Sequence, residues 1–212
     1  MGLREFKSRM FAKYYDRMAG AYDERMRDQK RELLSSLTGT VVEIGPGTGA
    51  NLSLLPKGVA LIGIEPNEHM HPQIREKARA LGMEVDLRLL PVGKLPLEDQ
   101  SVDGVLSTLV LCSVPDVPAA LEEIYRVLKP GGQFVFWEHV IAPKGILKRT
   151  FQHLWTPVQR FLADGCCCNR DFEKSLRESS FGETQVHAFN IPKDAGPPWI
   201  RPHVSGVAIR PN

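Results

Sequence analysis

At 212 residues, 42% of them apolar and 25% charged, the chain is long enough to bury one full core without disulfides or metals. A net charge of +2 excludes the strong electrostatic footprint of a nucleic-acid binder. No apolar run approaches the roughly 18 residues of a membrane-spanning helix, and the opening Met-Gly-Leu-Arg-Glu-Phe-Lys lacks a signal peptide's apolar stretch, so the expected location is the cytoplasm.

Residues 3–18 carry Leu3, Phe6, Met10, Phe11, Tyr14 and Met18 at three- and four-residue spacings, with Arg4, Lys7, Arg9, Lys13 and Arg17 around them. This predicts a basic amphipathic helix, suited either to a lid over a pocket or to peripheral contact with an anionic membrane surface. Strands are predicted at 40–44, 59–65, 84–90, 102–109 and 133–140, separated by helix-length segments. That is the rhythm of a parallel sheet covered on both faces. Between the last two, a helix at 117–128 carries Leu121, Ile124, Tyr125 and Leu128 on one face and stops at Lys129-Pro130-Gly131-Gly132. Residues 146–162 form a second apolar stripe, Ile146, Leu147, Phe151, Leu154, Trp155, Val158, Phe161 and Leu162, beside Lys148, Arg149 and Arg160. Such a helix either roofs an acceptor site or faces the core, and it is the second stretch able to meet a membrane surface. A helix at 171–179 and closing strands at 183–189 and 204–210 complete the pattern, with the proline-bearing stretch 191–203 as loop. The organisation is one domain, 1–212: an N-terminal helical lid (1–37), a ligand-binding half (38–140), and helices and closing strands on the acceptor side (141–212).

The first strand runs into Glu43-Ile44-Gly45-Pro46-Gly47-Thr48-Gly49-Ala50-Asn51. Glycines at alternate positions let the backbone approach a ligand, but the loop alone also satisfies a loose dinucleotide pattern. Glu65, about 20 residues after the first glycine, is placed to accept hydrogen bonds from ribose hydroxyls. Glu43 decides between ligands: pyrophosphate has no use for a carboxylate there, whereas a sulfonium and its amino group favour one. The cysteines read as reduced. Cys112 lies among Leu109, Val110, Leu111 and Val114 and reads as packing, while the run Cys166-Cys167-Cys168 lacks the spacing of a disulfide framework or a C-x-x-C zinc site, so no metal is expected.

With these elements placed, the chain resembles the class I S-adenosylmethionine-dependent methyltransferases, on its glycine loop, the acid after strand two and the Leu-Lys-Pro-Gly-Gly turn before strand five. The stretches 108–114, Phe136-Trp137-Glu138-His139-Val140, Asp164-Gly165-Cys166-Cys167 and Arg201-Pro202-His203 are more particular, and look like the membrane-associated alkyl thiol S-methyltransferases of the methyltransferase-like seven group. The resemblance implies an α/β, Rossmann-like, seven-stranded and mostly parallel sheet with helices on both faces, an N-terminal helix and a helical insert after strand five. It implies S-adenosylmethionine as cofactor, S-adenosylhomocysteine as product and a small apolar acceptor, most simply a thiol, with no nucleic acid and no obligate protein partner. A lipid, quinone-precursor or amine acceptor is the alternative within that chemistry, and a catalytically silent cofactor-binding module on a membrane surface lies outside it. The expected cofactor site comprises Glu43, Gly45, Pro46, Gly47, Gly49 and Asn51; Glu65 and Pro66 at the ribose; Val92 and Gly93 after strand three, where quinone-pathway relatives place an Asp; and Leu109. Tyr14 and Tyr22, with Tyr15, are candidates to close over the sulfonium by cation–π contact or to pack. For the chemistry, His139 at the end of strand five is the first candidate base and Asp164 the second. The bland alternatives are a backbone hydrogen bond for the histidine and a turn role for the aspartate.

Overall fold

The computed structural model describes residues 2–90 and 95–212. Strands β1 (Thr40–Ile44), β2 (Ala60–Ile64), β3 (Val85–Arg88), β4 (Val102–Thr108), β5 (Leu128–His139), β6 (Thr184–Asn190) and β7 (Pro202–Ile209) form one seven-stranded sheet in the order β3-β2-β1-β4-β5-β7-β6. The first five are parallel, and β7 is antiparallel to both β5 and β6. Their side chains alternate between two cores, as a period of two requires. Val105, Phe134 and Phe136 pack with Leu121 and Ile124 of α3 (Val117–Val127) and with Phe172 and Leu176 of α5 (Phe172–Arg177). The intervening Leu106 and Val135 pack on the other face with Leu34 of α1 (Leu3–Leu34) and with Ile74 and Ala78 of α2 (His71–Ala80).

Three elements differ from the sequence expectation. Helix α1 runs for 32 residues rather than ending at 18. Its second half buries Tyr22, Met26, Lys30 and Leu34, one residue per turn, a stripe too narrow to stand out among charged neighbours. In its first half Phe6, Tyr14 and Met18 of the apolar stripe face outward, at 47%, 39% and 61% exposure, while Met10 and Phe11 are half-buried. Strand β5 begins at Leu128, because Leu128 already pairs with Val102; the expected breaker is absorbed as a register shift. Helix α4 (Ile146–Leu162) neither roofs a site with its stripe nor faces the core, since Leu147 and Leu154 are 83% and 74% exposed. Its anchor is Gln152, whose amide donates to the Cys168 and Trp199 carbonyls at 3.0 and 2.9 Å and accepts from Ala142 N at 2.8 Å. Phe151 and Trp155 add ring contacts to Trp199.

Candidate functional site

The carboxyl ends of β1, β2, β4 and β5 converge on the glycine loop. Gly45 and Gly47 both take left-handed backbone, with φ of +61° and +59°. A Cβ on Gly45 would stand 2.6 Å from Val110 Cγ2, so the segment after β4 lies directly against this loop. At Gly47 the nearest atoms to such a Cβ are Met70 Sδ at 3.7 Å and Tyr15 Cε1 at 3.9 Å, leaving that side of the backbone approachable. The loop closes with Gly49 N donating to Pro46 O at 2.8 Å, and is followed by a short 3-10 turn (Leu52–Leu54) instead of an α-helix. The helix N-terminus that a pyrophosphate would use is thus absent from this position.

Glu43 is fully buried, and Asn51 Nδ2 donates to its Oε1 at 2.6 Å and to Thr108 Oγ1 at 2.8 Å. Among the described residues, Glu43 Oε2 and Asn51 Oδ1 are buried acceptors without a protein partner. Burial pushes the Glu43 carboxyl up to about 7, against the Asn51 hydrogen bond and the charge of Lys30. Two open acceptors beside a glycine backbone fit a cationic donor group and would repel a phosphate. Glu65 is also buried and accepts from Gly47 N at 2.9 Å and Asn67 N at 2.8 Å, which ties the end of β2 to the glycine loop. Burial pushes its carboxyl up to about 7 as well. The next residue, Pro66, is exposed.

The remaining sequence candidates divide. Leu109 takes left-handed backbone (φ +59°), a strained conformation for a large side chain, held by its N–H to Trp137 O at 2.7 Å, and packs against the cluster of Tyr22, Met26 and Trp137. Val92 and Gly93 lie outside the described residues. Tyr14 points away, beside Lys13, and Tyr15 instead reaches over Gly47; its hydroxyl end is enclosed, and burial holds it above the usual range. Tyr22 lies deeper, accepting from Trp137 Nε1 at 2.5 Å and facing His203 Nε2 at 3.2 Å. Because His203 Nδ1 meets Arg201 O at 2.9 Å, the consistent tautomer has Nδ1 donating and Nε2 accepting from Tyr22. Burial holds that imidazole neutral, at about 2. Asp164 is exposed in a left-handed turn (φ +44°). Its charge nevertheless reaches Glu65 and helps raise it.

Sequence reasoning missed two features. The first is Glu138, fully buried, which accepts from Ser107 Oγ at 2.6 Å and from the backbone N–H groups of Val110 (3.2 Å), Leu111 (3.1 Å) and Cys112 (3.4 Å). An acidic residue in a strand between Trp137 and His139 was the available signal, since a buried carboxylate must find donors. The second is a sulfur and imidazole cluster. Cys112 is buried as expected of packing, but its Sγ lies 3.5 Å from Cys166 Sγ, and both face His139 Nδ1, at 3.8 and 3.6 Å. The Cys112 thiol donating to Cys166, with the His139 charge beside it, holds Cys166 well below the usual thiol range and leaves Cys112 above it. His139 therefore faces thiols rather than a neighbouring carbonyl. Cys167 N donates to Cys112 O at 2.9 Å, which locks the 164–168 turn onto the segment after β4.

Residues 42–136 match a family model described as a methyltransferase domain. The chain is 33% identical over 199 residues to thiol S-methyltransferase TMT1B of Homo sapiens, across 89% of this chain and 81% of that one. It is 33% identical over 213 residues to human thiol S-methyltransferase TMT1A, across 94% and 86% of the two chains. Among solved structures, a SAM-dependent methyltransferase from Thermotoga maritima superposes with a TM-score of 0.69 at 23% identity, over 97% of this chain and 99% of that one.

Proposed function

We propose, from the premise that this chain belongs to the class I S-adenosylmethionine-dependent methyltransferases and to the family of the thiol S-methyltransferases TMT1A and TMT1B, that it methylates the sulfur of a small apolar thiol. The observation that carries the acceptor is that kinship; the stretches 108–114, 136–140, 164–167 and 201–203, on which the sequence resembles that family, meet around His139 at the end of β5.

When bound, S-adenosylmethionine supplies a methyl group on a sulfonium already activated for displacement. The work left to the protein is to hold and enclose. Glu43 Oε2 and Asn51 Oδ1 would take the donor's ammonium group, and Glu65 the ribose hydroxyls. Tyr15 covers Gly47 from α1 and keeps water from the loop. Placing the acceptor sulfur in line at near-attack distance accounts for roughly 7–11 kcal/mol of barrier lowering in well-oriented reactions. The test is S-adenosylhomocysteine release with matched thiols, amines and alcohols. Thiols are expected to lead, with rates rising as the thiol ionises; methylation of an amine, phospholipid or quinone precursor ahead of every thiol would replace this acceptor.

We also infer that the outward stripes of α1 and α4 bring the protein to an apolar, anionic surface where such acceptors dissolve. Leu147, Leu154 and Leu162 are 83%, 74% and 65% exposed, and Lys7 Nζ stacks 3.7 Å from the Phe161 ring, joining the two helices into one patch. No described helix is long and apolar enough to cross a membrane.

The two carboxyls give a pH prediction. Each is raised in the folded protein from 4.5 to about 7. The folded state therefore binds more protons between these values, and the cofactor-free protein loses stability as pH rises through that window. The donor's ammonium group at Glu43 and its ribose hydroxyls at Glu65 donate hydrogen bonds that favour the ionised forms, so its affinity runs the other way, strengthening by up to about tenfold per carboxyl between roughly pH 6 and 8. Calorimetry in buffers of different ionisation enthalpy should show proton release on binding. Glu65→Gln should remove its share of both effects, whereas affinity independent of pH would exclude these assignments.

A further inference from the structure

We propose that Cys112, His139 and Cys166 form a binding site for a soft divalent cation of the zinc type, whose open fourth position takes the acceptor thiolate. This rests on the thiol reading for the occupant of that position, though the ion site itself does not.

The geometry is that of three ligands around an ion. Bond lengths of about 2.3 Å to sulfur and 2.0–2.1 Å to nitrogen, at tetrahedral angles, set two sulfurs roughly 3.8 Å apart and sulfur and nitrogen roughly 3.6 Å apart. Here the two Sγ atoms are 3.5 Å apart, and His139 Nδ1 is 3.6 Å from Cys166 Sγ and 3.8 Å from Cys112 Sγ. All three residues are buried, at 2%, 6% and 8% exposure for Cys112, Cys166 and His139. Two thiolates and an imidazole are the ligands such an ion prefers over calcium or magnesium. The absence of a C-x-x-C spacing does not count against the site, because the thiols come from segments 54 residues apart in sequence.

Their supports are rigid. Glu138 accepts from the backbone N–H of Cys112, and the Cys167 N–H to Cys112 O bond joins the two cysteine segments. His139 ends a central strand and packs its ring 4.6 Å from that of His203. Among the described residues, no fourth His, Cys, Asp or Glu joins the three within 4.8 Å. Three protein ligands with one position free is the arrangement of reactive rather than structural zinc sites. A cleft of about 460 Å³, walled by Asp116, Arg170, Asp171 and Phe172, reaches Cys112 and His139 and offers a path inward. The glycine loop is adjacent through the contact of Val110 with Gly45.

On coordination the acceptor thiol gives its proton to solvent. A lone pair on its sulfur then forms the bond to the methyl carbon, while the donor's carbon–sulfur bond breaks and leaves its pair on the donor sulfur. The neutral thioether product is a weaker ligand than the thiolate and leaves the ion.

The test uses the full chain, reduced, stripped of metal with a chelator and titrated with Co²⁺ as a visible probe and Zn²⁺ as competitor. The expected result is one tightly bound Co²⁺ per chain with thiolate-to-metal charge-transfer bands and tetrahedral absorption, displaced by Zn²⁺. Cys166→Ser and Cys112→Ser, near-isosteric changes checked for folding by circular dichroism, should weaken Co²⁺ binding by more than about a hundredfold, beyond the usual loss from outer-shell changes. Cys167→Ser should leave it unchanged. An alkyl thiol should shift the bands, and an alcohol of the same shape should not. Failure of the reduced wild-type chain to bind Co²⁺ overturns the site, as does binding unaffected by both serine variants. Bands that no thiol shifts overturn the open position. Methyl transfer to thiols measured on the same samples separates the readings: full turnover in metal-free protein removes the ion from the chemistry and leaves thiol methylation standing, whereas no thiol turnover beside an intact Co²⁺ spectrum overturns the thiolate assignment and leaves the ion site.

Discussion

Glu138→Ala should lower the folding free energy by about 2–4 kcal/mol, because it leaves the buried N–H groups of Leu111 and Cys112, the half-buried N–H of Val110 and the hydroxyl of Ser107 without their acceptor. Each orphaned donor costs about 1–3 kcal/mol, offset in part because burying the carboxylate is itself costly, as its raised protonation shows. For a domain of this size the loss corresponds to a fall in Tm of roughly 5–15 °C. Turnover should fall further than stability alone explains, since Leu109 is kept in left-handed backbone only while this segment is fixed. A drop of about tenfold to a hundredfold, measured well below the new Tm, is expected from lost positioning. Glu138→Gln keeps one acceptor oxygen but turns an amide toward the remaining N–H groups, so it should recover only part of the loss. Thermal unfolding and kinetics on the same two variants check this, and an unaltered Tm in Glu138→Ala would mean that water replaces the carboxylate at no cost.

Apart from the start of β5, the strands were legible to within two residues, because both faces of the sheet are covered and its strands read as short apolar runs between helix-length segments. The clustering at the glycine loop, one half of the candidate site, was legible for a related reason: Glu43, the glycines and Asn51 are neighbours in sequence, and Glu65, which follows one strand later, accepts from Gly47 N. The other half was hidden by distance along the chain. Cys112, His139 and Cys166 are brought together only by the order of β4 and β5 and by the turn at 164–168, and each taken alone resembles packing or loop. Helical phase failed where apolarity and burial part company. The stripe through Phe6, Tyr14 and Met18 faces outward, while the less conspicuous Ala12 is 2% exposed and Tyr15 meets Gly47. The same inversion in α4 leaves Leu147 and Leu154 exposed, a pattern that a rule placing apolar residues inside must misread.

Removing residues 1–18 should leave a folded protein that has lost most of its turnover. Apart from Ala12, the described core residues of α1 lie beyond the cut, at Tyr22, Met26 and Leu34, and Lys30 keeps its ion pair with Asp23 at 2.9 Å. The part removed makes the contacts that close the glycine loop. Asp16 binds Thr48 and, at 2.9 Å, Lys77; Asn67 Nδ2 donates to Ser8 O and Gln73 Nε2 to Ala12 O, both at 3.1 Å; and Tyr15 lies over Gly47. Such part-exposed bonds contribute about 0.2–1 kcal/mol each to stability, so Tm should fall by roughly 2–15 °C while the core stays folded. Their effect on the site is larger, because Asn67 also orients Glu65, and an uncovered loop admits water beside the donor. Cofactor affinity should fall by about tenfold and the rate at saturating cofactor by a further tenfold or more, the pattern of a lost lid. Full activity in the truncated protein would exclude a lid. Loss confined to sedimentation with anionic vesicles, with kinetics in free solution unchanged, would assign residues 1–18 to the surface patch they share with Phe161, and leave enclosure of the donor to the second half of α1.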